Sequence, residues 1–91
     1  MSVLFPLGQL MATPGALAAL QESGESPAPM IARHVAGDWG EVCADDKHLN
    51  NEAVKDGTRI ISAYRTAKGE RLWVITEADR SVTTILLPDE Y

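Results

Sequence analysis

Hydrophobic and polar positions divide this chain into two unlike halves. From Arg59 to Tyr91 they alternate in short runs, RIISAYRT, RLWVITE and VTTILLPDEY, separated by AKGE and ADRS. β-Branched and aromatic residues fill the runs, and Gly or charged residues mark the breaks, which predicts three consecutive antiparallel strands. Ile60, Ser62 and Tyr64 then share one side and Ile61 and Ala63 the other. On the second strand Leu72, Val74 and Thr76 oppose Arg71, Trp73, Ile75 and Glu77. On the third, Val82, Thr84 and Leu86 oppose Thr83, Ile85 and Leu87, so neither side is polar throughout. That strand is expected to be covered on both faces, as a central strand or by a partner subunit.

The first half carries helix signals. Thr13-Pro14 predicts a start, because Thr caps free N–H groups and Pro fits the first helical position. Leu17 and Leu20 face one way, and Ser23-Gly24 ends the helix. Ser26-Pro27 opens a second helix, carrying Met30, Ile31, Arg33, His34 and Val35 and stopping at Gly37. Asp38-Trp39-Gly40-Glu41 has the spacing of a capping box and predicts a further helical turn through Val42 and Cys43. Asp45 to Lys55 is polar and helix-compatible, with Asp56-Gly57 as its stop. Val3 to Leu7, broken by Pro6, is expected to be an edge strand or a packed arm. The expected fold is α+β in a single domain, residues 1–91. A helical half of about 13–56 packs on a C-terminal antiparallel sheet of three or four strands, about 58–91.

Composition bounds this picture more than it changes it. Ninety-one residues, 45% hydrophobic and 23% charged, describe one globular domain with a mainly aliphatic core. The single cysteine, Cys43, excludes an intramolecular disulfide and a cysteine-based zinc cluster. The N-terminal run MSVLFPLGQL is apolar, but no Lys or Arg precedes it and Pro and Gly interrupt it, so the expected location is cytoplasmic. No run reaches the length of a membrane span.

Charge matters more. The formal net charge of −5 argues against nucleic acid as a partner, since phosphate backbones are held by clustered Lys and Arg. Acidic residues concentrate in the first two-thirds of the chain, whereas Arg59, Arg65, Arg71 and Arg80 fall in the sheet region.

Several residues could carry chemistry. His34 precedes Asp38 by four positions, where a carboxylate could hold one imidazole nitrogen and suit the ring to acid–base work. The structural alternative is a surface or helix-end histidine facing the helix dipole. Trp39, flanked by Asp38 and Gly40, could line a groove or anchor a helix corner. The turn Glu77 to Ser81 offers Asp79 and Arg80 for an anion, or for local turn bonds and an Arg80–Glu77 pair. With Trp73 of the second strand, Asp38, Trp39, Asp79 and Arg80 make the candidate binding set. His48, among Asp45, Asp46 and Glu52, lacks metal-ligand spacing, so no metal or cofactor is expected. Cys43 lies among Glu41, Asp45 and Asp46, a poor setting for a nucleophilic thiolate.

Two resemblances add to this. The runs LFPLGQLMATPGAL, RHVAGDWGEV and LWVITEADRSVTTILLPDEY resemble a family of small bacterial proteins of plasmids and integrative elements, called plasmid-related proteins. That likeness implies a bacterial, mobile-element setting and no particular activity. The order of elements, with Arg33-His34 on a helix before basic strands, is broadly similar to barnase/RelE/colicin-type ribonucleases. It implies His34 as acid or base, Arg65 or Arg80 as a phosphate clamp, and Tyr64 or Thr84 as a hydrogen-bonding partner, without a metal.

The expected function is a non-enzymatic interaction module with an unknown protein partner. Pairing of two copies through the sheet's exposed side is an economical way to cover it. A metal-independent ribonuclease is the alternative, and an acidic mimic of DNA a third class.

Overall fold

Local chemistry sets each helix. In the computed structural model, which describes residues 3–91, α1 spans Pro14–Ser23. The Thr13 hydroxyl accepts the Ala16 N–H at 3.2 Å, and Gly24 closes the helix in the left-handed conformation. Met1 and Ser2 of the apolar N-terminal run lie outside the described residues. Helix α2 spans Ala28–Val35 and turns Met30, His34 and Val35 inward. Helix α3 spans Ala44–Asp56, carries Asp45 and Asp46 in its first turn, and ends at Gly57. Among the described residues no helix is long and apolar enough to cross a membrane.

The expected strands form as β2 (Ile60–Arg65), β3 (Arg71–Thr76) and β4 (Val82–Leu86), antiparallel in sequence order. A fourth strand, β1 (Gln9–Ala12), pairs parallel to β4, so the sheet is mixed, in the order β1-β4-β3-β2. Three helices separate β1 from β2, ample length for the chain to return in the same direction. β4 is therefore interior, one of the two placements its apolar faces allow. The edge strand is Gln9–Ala12 and not Val3–Leu7, which is an arm crossing the sheet with Phe5 buried.

Two adjoining cores hold the layers together. Ala16, Leu20 and Met30 of α1 and α2 meet Tyr64, Leu72, Val74 and Ile85 of the sheet. Phe5, Trp39, Ala53 and Ile60 form the second core, where the arm and α3 meet β2. The chain is α+β, with α1 and α2 over one face and α3 along the β2 side. No helical turn forms at Asp38–Cys43. Gly40 instead pairs with Ala63 in a parallel bridge, at a φ of 73°. A Cβ there would run into the Ala63 carbonyl oxygen, so the approach needs glycine. Backbone pairing with a strand edge outcompetes a single helical turn, which has few bonds of its own to offer.

Candidate functional site

His34 lies in the centre of the molecule, fully buried between α2 and the sheet. Its Nδ1 is 2.5 Å from the Ser62 hydroxyl, and its Nε2 is 2.9 Å from that of Thr76. Thr76 in turn bonds Thr83 at 2.7 Å, and Thr83 donates to the Leu7 carbonyl at 2.7 Å. The terminal acceptor fixes the direction of the whole chain. Thr83 gives its only proton to Leu7, so Thr76 must donate to Thr83 and accept from Nε2–H. Burial keeps the ring neutral, so Nδ1 is the acceptor of the Ser62 proton.

Burial, with nearby Arg80 as the lesser cause, pushes the imidazole down from 6.5 to about 4. Phe5 and Trp39 meet the ring edge-on, with centroids 5.3 and 5.9 Å away. Ser62 and His34 sit in the order of a nucleophile and a base. Both have no solvent exposure, however, and a hydroxyl occupies the place of the orienting carboxylate. The network ties α2, β2, β3, β4 and the N-terminal arm into one register.

Asp38 does not reach His34. Gly37, at a φ of 91°, turns the chain, and the Asp38 carboxylate takes both Nε and Nη2 of Arg33 at 2.7 and 3.3 Å. That hydrogen-bonded pair holds the Asp38 carboxyl below its ordinary range. Trp39 is buried, stacked on Phe5 at 6.2 Å, and donates Nε1–H to Asn51 at 3.0 Å. It is an anchor of the core.

The turn residues are also structural. Asp79 accepts the Ser81 N–H and hydroxyl at 3.0 and 2.6 Å. Arg80, at a φ of 60°, donates to the carbonyls of Thr58, Glu77 and Ala53, tying the end of α3 to the β3–β4 turn. It meets the Glu77 backbone, while the Glu77 carboxylate lies 3.8 Å from Arg59. Left-handed backbone at a non-glycine costs on the order of 1–3 kcal/mol. Three carbonyl bonds hold Arg80 there.

The residues that the ribonuclease likeness brings forward do not share a cleft. Tyr64 is buried under the helices and donates to the Asp38 carbonyl at 2.5 Å. Burial pushes its phenol up to about 12. Arg65 and Thr84 belong to the opposite face, where Arg65 Nε meets Glu41 at 2.8 Å. His48 is an exposed partner of Glu52 at 3.9 Å, and among the described residues no cluster of potential metal ligands forms. Of the candidate binding set, Asp38 and Asp79 are exposed but engaged by Arg33 and Ser81, and Trp73 lines a hollow. Trp73 lies half-buried on the second face, against Tyr91 and at the floor of that hollow of about 470 Å³ with Ile61 and Ala63.

Sequence reasoning missed one feature with open backbone groups, the free edge of β1. Gln9 and Thr13 direct their N–H groups to Ser81 and Ile85, each at 3.0 Å. By alternation the N–H and C=O of Leu10 and Ala12 point away from β4 into solvent. Leu10 and Met11 are 56% and 53% exposed. Beside them runs an apolar groove of about 410 Å³, lined by Leu10, Met11, Ala12, Ala28, Ile31 and neighbours, none of them charged.

The strand itself is held firmly. Gly8 lets the chain pass so close to Ser81 that a Cβ would strike its carbonyl, and Glu90 bonds the Thr13 hydroxyl at 2.5 Å and the Gly15 N–H at 3.3 Å. The uncharged run QLMA between Gly8 and Thr13-Pro14 is the one sequence signal that could have disclosed the edge. No protein-family model, curated protein or solved structure matches the chain.

Proposed function

We propose that this chain is a non-enzymatic protein-interaction module whose binding element is β1 with the groove beside it. The observation that carries this reading is an open strand edge, fixed in place and uncharged, next to an apolar furrow. Unpaired backbone groups in a row accept another strand, and the furrow takes its alternate side chains. A preformed strand loses little freedom when it binds, which favours affinity.

The placement of the candidate catalytic groups supports the same reading. His34 and Tyr64 are buried, and Arg65 and Thr84 stand on the other face. The likeness to plasmid-related proteins fits an accessory role in bacterial mobile elements, in the cytoplasm. Titration of ¹⁵N-labelled protein with short extended peptides of alternating apolar residues tests the proposal. Shifts centred on residues 9–12 and on Ala28 and Ile31 are expected. Shifts confined to the Trp73 hollow would move the binding element to the other face.

A further inference from the structure

We infer that the strand taken up by β1 is the β1 of a second copy, paired antiparallel about a two-fold axis through Met11. The inference rests on the reading of β1 as a binding edge and names its occupant. Three observations select a second copy over an unrelated segment.

Register is the first. An antiparallel pair exchanges both backbone bonds between directly opposed residues at every second position. With Met11 opposite Met11 of the second copy, Leu10 of each copy faces Ala12 of the other. Those are the residues whose N–H and C=O point outward, so every open group on both strands is used. The axis is perpendicular to the sheet, so α2 of each copy stays on the same side. The two furrows beside Leu10 and Ile31 then close on each other.

Charge is the second. The chain carries a net −5, so two copies repel overall. From Gly8 to Pro14 there is no charged residue, and none lines the furrow. Identical strands meet there without like charges opposed, which would destabilise the ladder.

Closure is the third. An open edge at both ends of a sheet would build a filament. Here the far edge is finished by the chain's own groups. Asn50 Oδ1 and Nδ2 bond the N–H and C=O of Ile61, at 3.2 and 2.8 Å. The Trp39 carbonyl and Glu41 N–H take those of Ala63, at 3.1 and 2.7 Å. One usable edge per copy gives a closed pair and one continuous sheet of twice four strands.

Sedimentation and light scattering of the full chain over a wide concentration range test this directly. The expected mass is twice the 9.8 kDa of the chain. Leu10→Pro removes an outward N–H and leaves the β1–β4 ladder intact, and Leu10→Lys sets a cation beside Ala12 of the other copy. Each is expected to raise the dissociation constant at least about tenfold, with the far-ultraviolet dichroism of the native chain retained. Mixed-label NMR is expected to show contacts between Met11 methyls of different copies, a readout independent of any variant.

A chain that stays monomeric throughout, a dimer unmoved by both substitutions, or open-ended polymers would overturn the inference. A monomer whose Leu10 and Ala12 amides become protected from exchange on adding a peptide of residues 7–13 would sink the second copy alone and leave the interaction module standing. A monomer in which no extended peptide protects those amides would sink both.

Discussion

The two edges of the sheet are built in opposite ways. At β2 every outward backbone group of Ile61 and Ala63 is bonded, by an asparagine side chain from α3 and by the loop around Gly40. At β1 the corresponding groups of Leu10 and Ala12 have no strand beside them. Unpaired edges invite other chains, and proteins ordinarily block them with charge, proline or a covering segment. This chain applies a covering segment to one edge and leaves the other uncharged and bare. The difference separates structure from recognition: residues spent on β2 stabilise the fold, and residues at β1 stay available for contact.

Substitutions that open the covered side should therefore cost stability, and those on the bare side should not. Trp39→Ala removes the anchor that seats the covering loop on Phe5 and is expected to destabilise by about 3–5 kcal/mol in chemical denaturation. A loss below about 1 kcal/mol would show that the loop is held without it.

Acid is the next largest perturbation, because the His34 network joins α2, β2, β3, β4 and the N-terminal arm. The buried imidazole faces Ser62, Thr76, Phe5 and Trp39, with Arg80 as the nearby cation, and its value is lowered from 6.5 to about 4. Between those values the unfolded chain binds the proton and the folded chain does not, so stability rises with pH across the window. Its contribution is complete above 6.5 and is lost as pH falls toward 4, on the order of 3 kcal/mol in all. Denaturation at stepped pH measures this slope. The lowered carboxyls, such as Asp38 beside Arg33, act below the same window. An imidazole NMR signal assigned to His34 that titrates near 6.5 would contradict the buried neutral ring.

Asn50→Ala sharpens the comparison itself. It strips both partners from Ile61 and is expected to cost about 2 kcal/mol, since groups left unpaired lose more than the net worth of the bond. It should also turn a closed assembly into larger ones, visible as growth in light scattering. The smallest effect belongs to the bare edge. At dilutions where the chain is a single copy, Leu10→Lys should shift stability by less than about 0.5 kcal/mol. A larger loss would mean that Leu10 is a core residue.

Much of the fold was legible in the order of residues. Thr13-Pro14, Gly24, Gly57 and the three alternating runs placed α1, α3 and β2 to β4, because caps, breakers and alternation act within a few positions. The apolar character of Val82–Leu86 on both sides likewise implied a strand covered on both faces, either interior or shielded by a partner, and the sheet order makes it interior. The candidate site was much less legible. Spacing alone suggests Asp38, four positions on, as the partner of His34, whereas its partners are Ser62 and Thr76, 28 and 42 residues away. Gln9–Ala12 is too short and too weakly alternating to declare itself, and it becomes a strand because β4 offers it a ladder. The turn predicted at Asp38–Cys43 gave way to a strand edge in the same manner.

Sequence alone determined the kinds of element, their order and the faces they would bury, since those follow from periodicity and local backbone preference. Tertiary structure decided that His34 is a neutral crosspiece of the core, that one edge of the sheet is sealed and that the other is open. Such outcomes depend on which distant groups reach a backbone N–H or C=O first, and no short stretch of the chain contains both partners.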